Sequence, residues 1–259
     1  MCPVGGRFFF GAPDPSIPRE FVCHCLLIET EQGLVLVDSG LGLADVHGGL
    51  GRLGAVFMAS CRARLLESET AVRQVEGLGF KASDVRHIVV THLDLDHAGG
   101  IPDFPNARVH IYRPEHTVAV RSREPRYVRS QFADADFELY DPVGEPWFGF
   151  SCVRALRGLP PEILIVPMVG HSPGHAAIAV EGPEGWLLHC GDAYFHRGEA
   201  RPEEGPVPGG IKLFQAVIQH SGSARKANQA RIRALAADHA AEVTVFCAHD
   251  IAEFRRQLG

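Results

Sequence analysis

Several features are scarce or missing in this 259-residue sequence, and each absence restricts what the protein does. It has no apolar run near the roughly 20 residues that a membrane-spanning helix needs. Its first residues show no basic segment followed by an apolar one, so a cytoplasmic location is expected. The formal net charge of −6 offers no basic footprint for nucleic acid. We therefore expect neither membrane nor nucleic acid as a partner, and the sequence leaves the oligomeric state open.

Cysteine is present, but not in a pattern that builds a disulfide framework or a zinc clip. The seven cysteines are an odd number, and most lie in apolar, strand-like runs, which is typical of free thiols in a reducing compartment. Cys23 and Cys25 would point to one face of a strand, but no second cysteine pair completes four zinc ligands.

Positive charge is concentrated in one short segment. Four arginines lie between residues 121 and 129. Such a cluster is either a solvated face or an edge that recognises anions.

The chain shows no low-complexity linker, and we expect one α/β domain over 1–259 with a helical insertion at about 43–78. The stretch 197–210, rich in Pro, Gly and Glu, is expected to be a mobile loop, and 211–240 to be helical. Strands are expected near 7–10, 21–30, 34–38, 85–92, 108–113, 136–141, 148–156, 163–169, 176–181, 186–190 and 243–247.

The most informative run follows the apolar stretch 85–90. It places two imidazoles and two carboxylates within six residues: His92, Asp94, Asp96 and His97. Unpaired charges crowded together are costly, so a bound cation explains the pattern better than a solvated acidic loop does.

Four other apolar runs also end in His or Asp, often beside glycine. These residues are Asp38, His171, Asp192 and His249. A single His or Asp after a strand is usually a turn or cap residue. Because ligands of layered α/β folds bind where strands of a sheet end, five such ends together predict one metal site assembled from distant segments.

In the order and spacing of these residues the chain resembles the metallo-β-lactamase superfamily. The resemblance implies a four-layered αββα sandwich with metals at one edge, between the two sheets. Within the superfamily the chain is most similar to the N-acyl homoserine lactonase branch, on the residues 27–38, the Asp-His-Ala-Gly-Gly run at 96–100 and the stretch 246–251.

One departure from the family's His-x-His-x-Asp-His loop is that Asp94 replaces the second histidine. Carried over residue by residue, the resemblance implies one metal on His92, Asp94 and His171. It implies a second metal on Asp96, His97 and His249, with Asp192 bridging both. Asp38 would orient a ligand, and His175 would be a hydrogen-bond partner rather than a ligand.

The resemblance implies a metal-dependent hydrolase of a small ester, with a lactone as the most concrete small-molecule substrate. Two divalent ions would activate the attacking water, and Asp96 would handle its proton. Tyr194 would either donate to the developing oxyanion or be an ordinary half-buried aromatic. Zinc is the default metal, and the carboxylate of Asp94 tilts its position toward Mn²⁺ or Fe²⁺.

A carboxylate at that loop position is also found in the flavodiiron relatives. The alternative function is therefore a di-iron oxidoreductase or gas sensor that lacks a flavin domain.

Overall fold

The structure is a computed structural model that describes residues 1, 7–10 and 20–258. These residues divide into two compact units. Unit 1 contains residues 1 and 23–141, and unit 2 contains residues 7–10, 20–22 and 142–258. Each unit has one β-sheet and its own helices, so the expected α/β composition is confirmed within each.

Unit 1 holds a five-stranded sheet in the order β1-β2-β3-β4-β5. Its strands are β1 (Leu26–Thr30), β2 (Gly33–Val37), β3 (Val85–Val89), β4 (Arg108–Tyr112) and β5 (Asp136–Tyr140). Its helices are α2 (Leu43–Gly48), α3 (Leu50–Leu53), α4 (Ala55–Cys61), α5 (Ala71–Gly77), α6 (Leu95–Ala98) and α7 (Arg113–Ala119).

Strands β1 and β2 form an antiparallel hairpin, and β2 to β5 run parallel. Gly33 leaves the turn with φ of 119°, a backbone conformation that favours glycine. The strands are rich in Val, Ile and Leu, as expected of parallel strands that are covered on both faces. Val35, Ile88 and Val109 are each fully buried. The carboxyl ends of β2 and β3 therefore emerge beside one another from a rigid core, at Asp38 and Thr91.

Unit 2 holds a six-stranded sheet in the order β11-β10-β9-β8-β7-β6. Its strands are β6 (Glu145–Trp147), β7 (Phe150–Ala155), β8 (Ile163–Pro167), β9 (Ala176–Gly182), β10 (Gly185–His189) and β11 (Val243–Phe246). Its helices are α1 (Arg7–Phe10), α8 (Gly209–Ile218), α9 (Gly222–Asp238) and α10 (Ile251–Gln257).

The sheet of unit 2 is antiparallel except for the pair β10–β11. A parallel pair needs a long crossover connection, and here the crossover carries α8 and α9. Helix α9 begins after Ser221, whose Oγ accepts from the N–H of Ala224 at 3.4 Å. Ile232 and Leu235 on α9 are buried in the core that also contains Val243 of β11.

Two expectations need correction. The strand predicted near 7–10 is wrong, because these residues form the short helix α1, in which Phe9 packs edge-on against Phe214 of α8. The segment 197–210, expected to be a mobile loop, contains regular structure and reaches the first residues of α8. It contains two 3₁₀ turns, and the side chain of Arg197 pairs with Asp250, with Nη1 3.2 Å from Oδ2.

Among the helices of the described residues, none is both long enough and apolar enough to cross a bilayer.

Candidate metal centre

The ligand loop of unit 1 follows β3 and is almost fully buried. His92 and His97 are 0% and 1% exposed, and their ring centroids lie 4.1 Å apart. Asp94 precedes the one-turn helix α6, which carries Asp96 and His97. The His92 Nε2 atom lies 3.5 Å from Asp94 Oδ2. Four potential metal donors are therefore close together on one short segment.

Asp38 fixes the orientation of this loop from the end of β2. It is 1% exposed and has a φ of 54°, which Asp tolerates better than most residues. Its carboxylate accepts from the N–H of Thr91 at 2.7 Å, from Thr91 Oγ1 at 2.9 Å and from His97 Nδ1 at 2.8 Å. Since Thr91 Oγ1 gives its proton to Asp38, it accepts from His92 Nδ1 at 2.9 Å.

These contacts determine the tautomers of both imidazoles. His92 and His97 each carry the proton on Nδ1, so the lone pair is on Nε2, which is the form that binds a metal. A carboxylate behind a ligating histidine is a recurrent feature of metal sites. The expected orienting role of Asp38 agrees with this geometry.

Asp94, the residue that departs from the family loop, forms a bidentate ion pair with Arg126. Arg126 Nε lies 2.6 Å from Oδ1, and Nη2 lies 2.7 Å from Oδ2. The side chains are only 18% and 12% exposed. Burial alone would lower the pKa of Arg126, but the charge of Asp94 outweighs it and raises the pKa above its ordinary value.

The sequence alone does not identify Arg126 as the partner of Asp94, because the cluster 121–129 is interpreted there only as a solvated face or an anion-recognising edge. One signal was available. A carboxylate that replaces an imidazole adds a negative charge, and a buried negative charge needs a partner.

Unit 2 brings its own three donors together at the ends of different strands. His171 follows β8, Asp192 follows β10 and His249 follows β11. They are 2%, 4% and 2% exposed. His171 Nε2 lies 3.4 Å from Asp192 Oδ2, and His249 Nε2 lies 3.0 Å from Oδ1. Each carboxylate oxygen of Asp192 therefore faces a different imidazole.

The surroundings hold these donors in place. His249 Nδ1 donates to the carbonyl of Val22 at 2.6 Å, which leaves its lone pair on Nε2. The ring of Phe195 stacks on His249 with centroids 5.2 Å apart. His171 follows Gly170, whose φ is 153° and whose position has no room for a Cβ. A Cβ there would lie 2.6 Å from backbone atoms of Arg225.

His175 uses both ring nitrogens within the protein. Its Nε2 accepts from the N–H of Asp192 at 2.9 Å, so its Nδ1 donates to the carbonyl of Met168 at 3.1 Å. This geometry agrees with the expectation that His175 supports the site and is not a ligand.

Tyr194 points into the core of unit 2. It is 0% exposed, and its hydroxyl donates to the carboxylate of Glu253, with both oxygens at 3.0 Å. Burial, followed by the charge of Glu253, raises the pKa of Tyr194. The geometry therefore favours the packing interpretation of Tyr194 over the oxyanion donor.

The donor chemistry of each set fits divalent metal ions. Neutral imidazoles with Nε2 lone pairs and buried carboxylates are the ligands that Zn²⁺, Mn²⁺ and Fe²⁺ accept. Unit 1 offers His92, Asp94, Asp96 and His97, and unit 2 offers His171, Asp192 and His249.

Comparison with known proteins finds relatives that are metal-dependent hydrolases. A family model described as metallo-beta-lactamase superfamily matches residues 18–249. A probable metallo-hydrolase of Mycobacterium tuberculosis is 43% identical over 235 residues, which cover 88% of this chain and 74% of that protein. An N-acyl homoserine lactonase of Bacillus cereus is 27% identical over 164 residues, covering 63% of this chain and 60% of that protein.

Among solved structures, an N-acyl homoserine lactone hydrolase with N-hexanoyl-L-homoserine bound at its catalytic metal centre has a TM-score of 0.69 to this chain. The two are 21% identical, and the alignment covers 91% of this chain and 84% of that one. This similarity confirms the expected fold class, and the lactonase relatives confirm the resemblance to their branch.

Proposed function

The chain belongs to the metallo-beta-lactamase superfamily, and on that premise we propose that it hydrolyses a small ester, most concretely a lactone. The coarser statement, that it is a hydrolase of this fold, follows from the family and from its metallo-hydrolase relatives. The lactone is supported by the lactonases among those relatives. The location in the cytoplasm and the single domain over 1–259 stay predictions from the sequence.

The observation that supports the proposal most strongly is the tautomer of three histidines. His92, His97 and His249 each donate from Nδ1 to a protein oxygen, which presents an Nε2 lone pair. Holding three imidazoles in one tautomer and orientation costs conformational freedom. This arrangement supports metal binding, because each free Nε2 lone pair is then available to a metal ion.

We propose two metal ions, on the ligands that the family resemblance implies. One ion would be held by His92, Asp94 and His171, and the other by Asp96, His97 and His249. Asp192 would bridge them, and this role is supported by the way its two oxygens face two different imidazoles.

Two bound divalent cations would supply an activated water and would polarise the ester carbonyl. The side chain proposed to move the proton is Asp96. Its carboxylate accepts a proton from the attacking water, whose oxygen bonds to the carbonyl carbon. When the bond from that carbon to the leaving oxygen breaks, Asp96 returns the proton to the leaving oxygen, so no charge is left over.

The pairing of Asp94 with Arg126 changes the charge argument about the metals. Alone, Asp94 would make the site one unit more negative than the family's histidine does. Together the carboxylate and the guanidinium are neutral, as an imidazole is. Because the guanidinium shares both carboxylate oxygens, we expect Asp94 to be a weaker ligand than a lone carboxylate, with zinc remaining the default metal.

A substrate panel tests the function. Lactones, thioesters, aryl esters and phosphodiesters are assayed with protein loaded with Zn²⁺, Mn²⁺ or Fe²⁺, and metal content is measured in parallel. We expect lactone turnover, with two metals per chain and a colourless zinc protein. His249→Ala is expected to abolish turnover and lower metal content, while exposed Lys212→Ala serves as the control.

No turnover of any ester with any metal would overturn the hydrolase proposal. A coloured iron protein without esterase activity would move the function to the di-iron alternative. Identical metal content and metal preference in Asp94→His and the parent chain would overturn the special role of Asp94.

A further inference from the structure

The arginine cluster lines a cavity on unit 1 that the hydrolytic mechanism does not use. The cavity has a volume of about 780 Å³. Its charged and aromatic lining residues are Arg52, Arg121, Arg123, Glu124, Tyr127 and Arg129. Four guanidiniums and one carboxylate make this lining strongly positive, although the whole chain has a net charge of −6.

Three of these guanidiniums have no ion-pair partner within the described part of the chain: Arg121, Arg123 and Arg129. Some other surface arginines are paired, as Arg108 is with Asp136 at 3.0 Å and Arg113 with Asp141 at 2.8 Å, whereas the exposed Arg62 and Arg86 also have no ion pair among the described residues. The distinguishing feature of the cavity is that three unpaired guanidiniums line one concave surface.

Arg52 adds an independent observation. Its Nε donates to Asp45 Oδ1 at 2.9 Å, and Asp45 is fully buried, so the guanidinium is fixed in place. Its Nη2 is buried and has no hydrogen-bond partner among the described residues. A buried donor left without a partner is costly, and because the side chain as a whole is 25% exposed, a small shift would bring Nη2 to a ligand oxygen.

From this arrangement we propose that the cavity binds a phosphate-type dianion carried by a small molecule. Guanidinium groups match phosphate oxygens with paired N–H donors, and several of them favour a multiply charged anion over a single carboxylate. Leu53, Val120 and Val128 also line the cavity and provide apolar surface for the rest of the molecule.

The cavity is linked to the ligand loop through the same segment of chain. Arg126 lies between the lining residues Pro125 and Tyr127, pairs with Asp94, and accepts at its carbonyl from the N–H of Leu95 at 3.0 Å. The lining is thus tied to the residues that begin α6. We infer that the bound anion is part of the substrate, so that the preferred ester carries a phosphate group. This last step rests on the proposed hydrolytic function, whereas anion binding by the cavity does not.

Calorimetric titration with inorganic phosphate at low ionic strength tests the cavity, using the full chain both loaded with zinc and after chelation. Arg121→Gln with Arg123→Gln removes two exposed charges, so folding should be unaffected, as circular dichroism would verify. The matched control, Arg86→Gln with Lys226→Gln, removes two exposed charges elsewhere. Arg129→Gln provides a second, independent variant.

We expect phosphate to bind the parent and control proteins in both metal states. Binding to the double variant should be weaker by at least about tenfold, because hydrogen bonds to charged groups contribute on that scale. Equal affinity in the parent and the double variant, or binding that disappears on chelation, would overturn the cavity as an anion site.

Kinetics with matched esters, one carrying a phosphate and one neutral, test the link to the substrate. The double variant should lower kcat/KM for the phosphorylated ester by at least about tenfold and leave the neutral ester unchanged. Lactone turnover without phosphate binding would overturn the cavity inference alone. Phosphate binding without turnover of either ester would overturn the hydrolytic function and the substrate link, while the anion site would stand.

Discussion

The ion pair between Asp94 and Arg126 gives the sharpest quantitative prediction. An exposed pair contributes roughly 0.2–1 kcal/mol, whereas removing one partner of a buried pair costs about 3–5 kcal/mol. With side chains 18% and 12% exposed and two hydrogen bonds, this pair lies nearer the buried limit. We expect Arg126→Met to destabilise the metal-free protein by about 2–3 kcal/mol. In a chain of this size that corresponds to a melting temperature lower by roughly 4–12 °C.

The assay is a double-mutant cycle with Arg126→Met, Asp94→His and their combination, followed by urea unfolding. Asp94→His with Arg126→Met removes both charges, so the combined variant should recover about 2 kcal/mol relative to the sum of the single variants. The control is Arg113→Met, which breaks the half-exposed pair with Asp141 and should cost under about 1 kcal/mol.

Metal binding adds a readout that packing alone would not move. Without the guanidinium, both oxygens of Asp94 become available to a cation, so metal should restore more stability to Arg126→Met than to the parent. The prediction is wrong if the free energy of unfolding of Arg126→Met lies within about 0.5 kcal/mol of that of the parent, or if the cycle shows no coupling between the two positions.

Three further predictions concern the supports of the site and the sheet of unit 1. Asp38→Asn should weaken metal binding by about 10–100-fold in competition with a chromogenic chelator, because an amide oxygen orients His97 less firmly; unchanged affinity would contradict this. Gly170→Ala should lower stability and metal content more than Gly205→Ala, which has a similarly positive φ of 116° but open space; equal effects would mean that the clash is unimportant. Burial, followed by nearby arginines, lowers the pKa of His87 below 6.5. As the pH falls toward 6.5, the unfolded chain therefore binds a proton at His87 before the folded chain does. The contribution of His87 to the free energy of unfolding is highest above pH 6.5 and decreases as the pH falls below 6.5. His87→Gln should flatten this dependence in urea unfolding at a series of pH values, and an unaltered slope would count against it.

The parts of the site that the sequence predicts are those determined by local pattern. Apolar runs that stop at His or Asp identify β2, β3, β8, β10 and β11 within a few residues. The ligand loop is local too, since its four donors lie within six residues. Local order suffices because a strand of fixed direction delivers the residue that follows it to a defined edge of its sheet.

Features that depend on contacts distant in sequence could not be predicted. Arg126 lies 32 residues from Asp94, and Tyr194 lies 59 residues from Glu253. Nothing in the neighbouring sequence of either residue identifies its partner. Helix α1 was missed for a related reason, since a short apolar run fits a strand or a buried helix equally well until its packing is known.

The parallel pairing of β11 beside β10 has a consequence for the order in which the protein matures. On the ribosome, β10 emerges more than fifty residues before β11, and His249 follows β11. Unit 2 therefore acquires its last donor only after α8 and α9 have been made. A nascent chain that stalls before residue 243 would hold His171 and Asp192 but could not close the three-donor set.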